Sequence, residues 1–597
     1  MVKIILDYEK IYLPIIGTFN SFAKILFFKD KTKSDHLISI YTFIESVVYN
    51  IFVILWLGFC AAFVYWWFSS TKLLNFWGYI LTSISVLWLP FISAYFIFFS
   101  SRAKKLKKQY KLVPKGRLAL ITTKIPSESF DLIKRSLVAM LAQKYPYKYD
   151  VWLADEDPQK ETIEWCKENR VKISTRKNNP DYHRNVHPRK AKTKEGNLAY
   201  FYDHWGYADY DYVIQFDADH APEEDYASNV MHHFNDSKVG YVATPSIVDG
   251  NLNSSWTVRA RNYWESTNHG PIQSGCNDGF APMMFGSHYA HRTKALKSIG
   301  GIAPEIAEDL TTTLTYNANG WKGAFAGDAI AHGYGPIGLE DSMVQEYQWA
   351  MVGMRALFFV TSKLFWDLPW QVKIQFLVWH TWYPLVTFVT LISCLLPAYA
   401  LLMTDPIISV EGSKFVLFYG VINFSFLLYV LSLRFKNILR PIKSWHLTWE
   451  TIIFQLMQWP WILIGTIEGF IQGIMNVPFY KAKGMVKITD KSEGVRYLPW
   501  TFLLPHYLII LINALAIITS PISSLVFGYY WFSFVIVFTY SISILISLVL
   551  NFGENLNKLD NIQKLKYAIN HLPTIGISVN SIGLMFYCLS YLIYNFV

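Results

Sequence analysis

The chain has 597 residues, of which 52% are hydrophobic, 17% aromatic and only 16% charged, with a formal net charge of +10. This composition excludes an ordinary soluble protein and implies bilayer spans joined to a folded soluble part. Five widely spaced cysteines, Cys60, Cys166, Cys276, Cys394 and Cys588, form neither a disulfide framework nor a zinc spacing. The excess positive charge collects in lysines beside apolar runs, which suits anionic lipid, and no basic-aromatic stripe marks a nucleic-acid binder.

In chain order, residues 1 to 42 are mixed and charged, with a Phe-rich stretch at 13 to 28 that suits a surface-lying helix. Runs at 43 to 67, 76 to 100, 381 to 403, 414 to 433, 499 to 520, 524 to 551 and 574 to 596 are each long enough for a hydrocarbon core of roughly 30 Å. Seven spans are therefore expected. Residues 101 to 366 contain no such run and are expected to form one soluble domain, with 367 to 597 as the second membrane region. Arg102, Lys104, Lys105, Lys107 and Lys108 follow the second run directly, and Arg434, Lys436, Arg440 and Lys443 follow the fourth. Both clusters put the soluble domain on the cytoplasmic side of a plasma membrane, with the amino terminus inside and the carboxyl terminus outside. The stretch 448 to 476 carries Glu450, Gln455, Gln458, Glu468 and Gln472 and is expected as an interfacial helix rather than an eighth span.

Within the soluble part, the strand Leu118-Ala119-Leu120-Ile121 precedes a helical pattern from Phe130. The strand 149 to 154 precedes a helix at about 159 to 169. This βαβ rhythm predicts a doubly wound α/β sheet, whose ligands collect at the carboxyl ends of strands. Thr122, Thr123, Asp155, Asp217 and Asp219 all fall at such ends. Phe216-Asp217-Ala218-Asp219-His220 closes the apolar run Tyr212-Val213-Ile214-Gln215, and two carboxylates in D-x-D spacing are hard ligands for a divalent cation. Asp155-Glu156-Asp157 and Asp209-Tyr210-Asp211 share the spacing, so position must separate the three.

The motifs from roughly 115 to 500 resemble those of membrane-embedded processive family-2 glycosyltransferases, which include cellulose, hyaluronan and chitin synthases. Asp155 resembles the aspartate that contacts uridine, and Lys194-Glu195-Gly196-Asn197 resembles the K-x-G-N segment near the nucleotide diphosphate. Asp217 and Asp219 look like the family D-x-D, Phe285-Gly286-Ser287 resembles an acceptor-site segment, and Ala307-Glu308-Asp309 resembles T-E-D. Gln345-Glu346-Tyr347-Gln348-Trp349 is similar to Q-x-x-R-W, and Val486-Lys487-Ile488-Thr489-Asp490-Lys491 is similar to a gating loop, at about 484 to 495.

The resemblance implies a GT-A type cytoplasmic α/β domain inserted in an α-helical transmembrane bundle. It implies Asp309 as the general base. For the nucleotide sugar it implies Thr123, Glu128, Asp155, Lys194, Asp217, Gln345 and Gln348, and for the acceptor Glu308, Trp349, Gly286 and Ser287. Asp217 and Asp219 would hold Mg²⁺ or Mn²⁺, with His220 as a further candidate, and Val486, Ile488, Thr489 and Lys491 would gate the site. The expected partners are a UDP-sugar donor, a polysaccharide acceptor and the lipid bilayer, with a homo-oligomer or accessory subunits open. The chain is expected to act as a processive, inverting β-glucan synthase using UDP-glucose. A UDP-GlcNAc-dependent hyaluronan- or chitin-like synthase and a non-catalytic nucleotide-binding transporter or receptor are the alternatives.

The chain departs from the pattern at Gln348, where arginine is expected. An amide cannot supply the charge of a guanidinium, so that work would move to Lys194, Arg355 or another cation. Trp379, His380, Trp382 and Tyr383 suit either the wall of a polymer path or an interfacial aromatic belt.

Overall fold

The computed structural model describes residues 36–184, 193–303, 307–404, 407–477, 495–523 and 526–596. The surface helix expected at 13 to 28 and the gating loop with Val486, Ile488, Thr489 and Lys491 lie outside these residues.

Two long helices come first, α1 (Phe43–Ser70) and α2 (Phe76–Ser101). Thr42 and Glu45 start α1 with a reciprocal capping box, which satisfies amide donors that an apolar helix could not otherwise pair. The domain that follows is built on β1 (Leu118–Lys124), α3 (Phe130–Leu141), β2 (Tyr149–Asp155), α4 (Lys160–Glu168), β3 (Lys172–Ser174), α5 (Lys194–Phe201), β4 (Tyr212–Phe216), β5 (Val239–Ala243), α6 (Trp256–Glu265), β6 (His288–Arg292), α7 (Glu308–Ala318), β7 (Lys322–Phe325) and α8 (Leu339–Ala356). The seven strands form one sheet in the order β7-β5-β6-β4-β1-β2-β3.

Strands β4, β1, β2 and β3 are parallel, but β6 runs antiparallel between β4 and β5. The expected doubly wound sheet is thus a mixed one. In β1, Leu118 and Leu120 enter one buried cluster with Ile133 and Leu137 of α3, while Ala119 and Ile121 enter another with Leu198 and Phe201 of α5. A strand covered on both faces reads as a continuous apolar run, which is why β1 and β4 were legible.

The chain then continues through α9 (Trp370–Met403), α10 (Gly412–Phe435), α11 (Trp449–Ile474), α12 (Trp500–Thr519), α13 (Phe527–Leu556), α14 (Asn561–Asn570) and α15 (Leu572–Phe596). Among the described residues seven helices are long and apolar enough to cross a membrane: α1, α2, α9, α10, α12, α13 and α15. They match the seven expected runs and flank the sheet domain on both sides in sequence.

Helix α11 is not one of them. It packs along α8 through Gly465, Gly469 and Gly473, where a Cβ would collide with the Tyr347 carbonyl, the Met351 carbonyl and the Phe358 ring. Small residues every fourth position let two backbones approach closely. Of the polar residues that set this helix apart, Glu450 pairs with Arg259 at 2.7 Å and Gln472 accepts from Arg355 at 2.8 Å. The sheet domain is therefore bolted to α11 by both packing and charge.

Another expectation is corrected at Lys104. It is buried and bonded to Asp278 at 3.0 Å, so its charge neutralises a carboxylate of the sheet domain instead of facing lipid.

Candidate functional site

Parallel pairing sets the site. The register places Thr122 of β1 beside Phe216 of β4, and Lys124 beside Asp155 of β2, so the residues after Phe216 and at Asp155 emerge on one edge of the sheet, two strands or roughly 10 Å apart. Thr123 sits in β1 opposite Ala154. Just beyond, Glu128 closes the following turn by accepting from the Ile125 amide at 2.9 Å.

Asp155 is fully buried and its Oδ1 receives the Lys124 ammonium at 3.4 Å and the Asp157 amide at 3.0 Å. Burial raises its carboxyl above the ordinary aspartate range, and Lys124 opposes that shift. Lys124 escaped the sequence reading. The signal was available, because extending the parallel register by one residue puts it opposite Asp155.

The surroundings also separate the three D-x-D pairs. Glu156 is taken by Arg176, Asp157 by Lys177, and Asp211 accepts the Arg117 amide at 2.8 Å. Those acids are structural. Asp217 differs in its partner rather than in its exposure: at the strand end it meets Lys194 of α5 at 2.6 Å, and Lys194 in turn reaches Glu308.

Lys194 is the junction of the site. Its Nζ also donates to the Gly286 carbonyl at 2.8 Å and lies 3.3 Å from the Glu308 carboxylate. Burial alone would lower its pKa, but Asp217 and Glu308 outweigh burial and hold it charged well above the ordinary lysine value. The Asp217 amide donates to the Ser287 carbonyl at 2.6 Å, and Ser287 Oγ donates to Ser246 at 2.8 Å. A Cβ at Gly286 would stand 3.1 Å from Asp309 Oδ2, so the glycine leaves room for that carboxylate. Residues 194, 217, 286, 287, 308 and 309 are thereby gathered around one small volume.

Glu308 and Asp309 occupy the first turn of α7. Asp309 Oδ1 accepts the Leu310 amide at 2.7 Å. Burial, then the neighbouring Glu308 charge, raises the Asp309 carboxyl to about 7. Glu308 is raised by burial as well, with Lys194 acting against it. Two carboxyls near one lysine thus titrate together, and one of them does so near neutrality.

Asp219 follows two residues after Asp217. It is buried, and its Oδ1 lies 3.0 Å from His220 Nδ1. His220 packs beside His288 with ring centroids 5.0 Å apart, in space that the missing Cβ of Gly333 leaves open. No group of three or more His, Cys, Asp or Glu poised for a metal occurs among the described residues. Two carboxylates, one of them open to the cleft, fit a Mg²⁺-type cation that takes its other oxygens from a bound diphosphate, and do not fit a closed protein cage.

Helix α8 presents Gln345, Gln348 and Trp349 at i, i+3 and i+4, on one face. Gln345 Oε1 accepts from Arg261 of α6, and the Arg261 guanidinium lies 4.6 Å from the Trp349 ring centre. Arg355 is not available as the compensating cation: its guanidinium is buried against Gln472 and the Val477 carbonyl and lies over Phe359. Of the aromatic set on α9, Trp379 approaches Phe285 at 6.0 Å and Tyr383 donates to Glu346 at 3.4 Å, whereas His380 is bound to Thr361 and the Gly353 carbonyl. Two of the four therefore lie next to the acceptor-type segments, and Trp382 packs on Trp88 at 6.0 Å.

The family model described as glycosyl transferase family group 2 matches residues 212–553, more than half of the chain. Cellulose synthase-like protein D3 of Arabidopsis thaliana is 25% identical over 247 residues, 38% of this chain and 20% of that protein. The cellulose synthase catalytic subunit (UDP-forming) of Pseudomonas fluorescens is 27% identical over 241 residues, 39% of this chain and 30% of that protein. The chain thus matches less than a third of the length of either relative. Among solved structures, the mannosyltransferase PcManGT from Pyrobaculum calidifontis, in complex with GDP-Man and Mn²⁺, aligns with a TM-score of 0.41 at 15% identity, covering 66% of this chain and 99% of that one.

Proposed function

The chain belongs to glycosyl transferase family group 2, and from that premise we propose that it is a membrane-embedded processive synthase that transfers glucose from UDP-glucose to a growing β-glucan. The observation that carries this reading is the gathering of Lys194, Asp217, Glu308, Asp309 and the Gly286 carbonyl at the strand edge, with one carboxyl poised near neutrality.

In this reading Asp309 removes the proton from the acceptor hydroxyl as that oxygen attacks the anomeric carbon, and the bond from that carbon to the diphosphate breaks with inversion. A carboxyl near pH 7 suits the task, because it is ionised at working pH yet still basic. Glu308 holds Lys194 beside the reacting centre, and Lys194 meets the leaving diphosphate as a fixed cation. Asp155, with Thr123 and Glu128 nearby, receives the uridine end. Asp217 and Asp219 would hold Mg²⁺ or Mn²⁺, which supplies further charge to the leaving group. Gly286 and Ser287 keep the acceptor side open, and Trp349 offers a flat face to a sugar ring. The seven apolar helices support translocation of the product from a cytoplasmic active site.

The test is direct. Purified protein in nanodiscs, given UDP-glucose and Mg²⁺ or Mn²⁺, should release UDP and make a glucanase-sensitive polymer. Turnover only with UDP-GlcNAc would transfer the reading to a hyaluronan- or chitin-like product. Silence with every UDP-sugar would overturn it.

A further inference from the structure

We propose that Arg261, on a different helix, supplies the fixed guanidinium that the Gln345–Trp349 segment lacks at Gln348, and that it acts as a positioning residue for Gln345 and Trp349. The inference rests on the glycan-synthase reading above and goes beyond it, because no motif includes Arg261.

The geometry is specific. Arg261 is only 5% exposed, and its Nε is tied to Glu265 at 3.1 Å, one turn later on the same helix. Glu265 is itself half-buried beside His269, whose Nε2 lies 3.5 Å away. This anchor fixes the plane of the guanidinium. From that plane Nη1 reaches Gln345, and the Arg261 Cζ stands 4.6 Å from the Trp349 ring centre. One charged group thus grips residues i and i+4 of α8, on either side of the register position of Gln348.

Two consequences follow for the site. Arginine only donates, so the Gln345 oxygen must face Arg261, and the amide nitrogen keeps its two hydrogens for an acceptor elsewhere. Arg261 also covers one side of the Trp349 indole, while the residue stays 38% exposed. A sugar ring can lie only on the uncovered face, and the cation enforces which face that is. A lysine would not reproduce this, because it has neither the planar stack nor the fork. Gly465 and Gly469 fix α8 against α11 from the other side, so the Arg261 contact is made on a helix that cannot drift.

The experiment compares Arg261→Gln, Arg261→Lys and the double variant Arg261→Gln/Gln348→Arg as full chains in nanodiscs. UDP release is read as kcat and KM for donor and acceptor separately, and oligosaccharide-induced shifts in Tm are read without turnover. Arg261→Gln should lower kcat/KM at least tenfold, raise the acceptor KM more than the donor KM, and abolish the oligosaccharide shift. Arg261→Lys should retain the wild-type Tm without ligand yet stay at least fivefold impaired. Returning the guanidinium at position 348 should recover most of the lost kcat/KM.

The proposal is overturned if Arg261→Gln folds and keeps half or more of the wild-type kcat/KM and oligosaccharide shift, or if Arg261→Lys is fully active. It is also overturned if the double variant is no better than Arg261→Gln. If Arg261→Gln does not fold, Arg261→Lys alone decides between the same outcomes. A wild-type chain with neither UDP release nor a shift from any oligosaccharide overturns the synthase reading itself, and this inference with it. That result is distinguishable from an active wild type with an indifferent Arg261.

Discussion

Asp309→Asn separates catalysis from stability in one substitution. Burial and the Glu308 charge raise the Asp309 carboxyl to about 7, from a usual aspartate value near 4. The folded protein therefore holds this proton more tightly than the unfolded chain does between about pH 4 and pH 7. Stability contributed by the neutral form is fully present below pH 4 and is lost as pH rises through 7. About three decades of acidity at about 1.4 kcal/mol each give an upper limit of about 4 kcal/mol, shared with the coupled Glu308. The amide cannot ionise and carries no such cost. Asp309→Asn should therefore lose about 10² to 10⁴ in kcat, the usual worth of a general base. At pH 8 it should melt above wild type, and that gap should shrink toward pH 5. Wild-type kcat/KM should climb about tenfold per pH unit below 7 and level off above it. UDP release across pH 5 to 9 and scanning fluorimetry at the same pH values measure both. A flat profile between pH 6 and 8, or a melting gap independent of pH, refutes the assignment of the raised carboxyl to Asp309.

Lys194→Met removes a cation that favours the ionised forms of Glu308 and Asp309. The acidic limb of the rate profile should move to higher pH, with part of the activity recovered near pH 9; an unmoved limb would show that Lys194 does not act on the base. Gly469→Leu should force α11 off α8, where even a Cβ meets the Met351 carbonyl. Overpacking of this kind costs about 1–3 kcal/mol, and a displacement of about 1 Å at Trp349 costs about 10²-fold in rate, both readable from Tm and kcat. Asp155→Ala strands the buried Lys124 charge and should destabilise by about 3–5 kcal/mol, whereas Lys124→Met with Asp155→Asn should recover much of that in the melting curve. Chelation with EDTA should stop UDP release until Mg²⁺ or Mn²⁺ is returned, and Mn²⁺ titrated by calorimetry should bind more tightly with UDP present than without, since the protein offers only two carboxylates.

Much of the site was legible because each motif sits on a short, local segment. Asp217 follows a buried parallel strand, Lys194 opens a helix, and Glu308 with Asp309 opens another, so strand ends and helix starts mark them in the one-dimensional pattern. Lys124 was nearly legible, needing only the register of β1 on β2. Arg261 was not, since it lies inside the ordinary helical sequence of α6, 84 positions before its partner Gln345. Strand β6 was equally hidden. His288-Tyr289-Ala290-His291-Arg292 has no apolar run, and its histidines are buried through partners such as the Pro245 carbonyl and Tyr316. Its insertion turned the expected parallel sheet into a mixed one.

By itself the sequence determined the seven apolar helices, the α/β domain between them and the order of its acidic and basic motifs, because hydrophobic length, strand runs and spacing are local properties of the chain. Only the tertiary structure decided which acids are structural and which converge on Lys194, why α11 lies on α8 and not in the row of spans, and which arginine reaches Trp349. Those outcomes depend on burial, register and close backbone approach between segments far apart in the chain, and these set the charges and distances on which the chemistry rests.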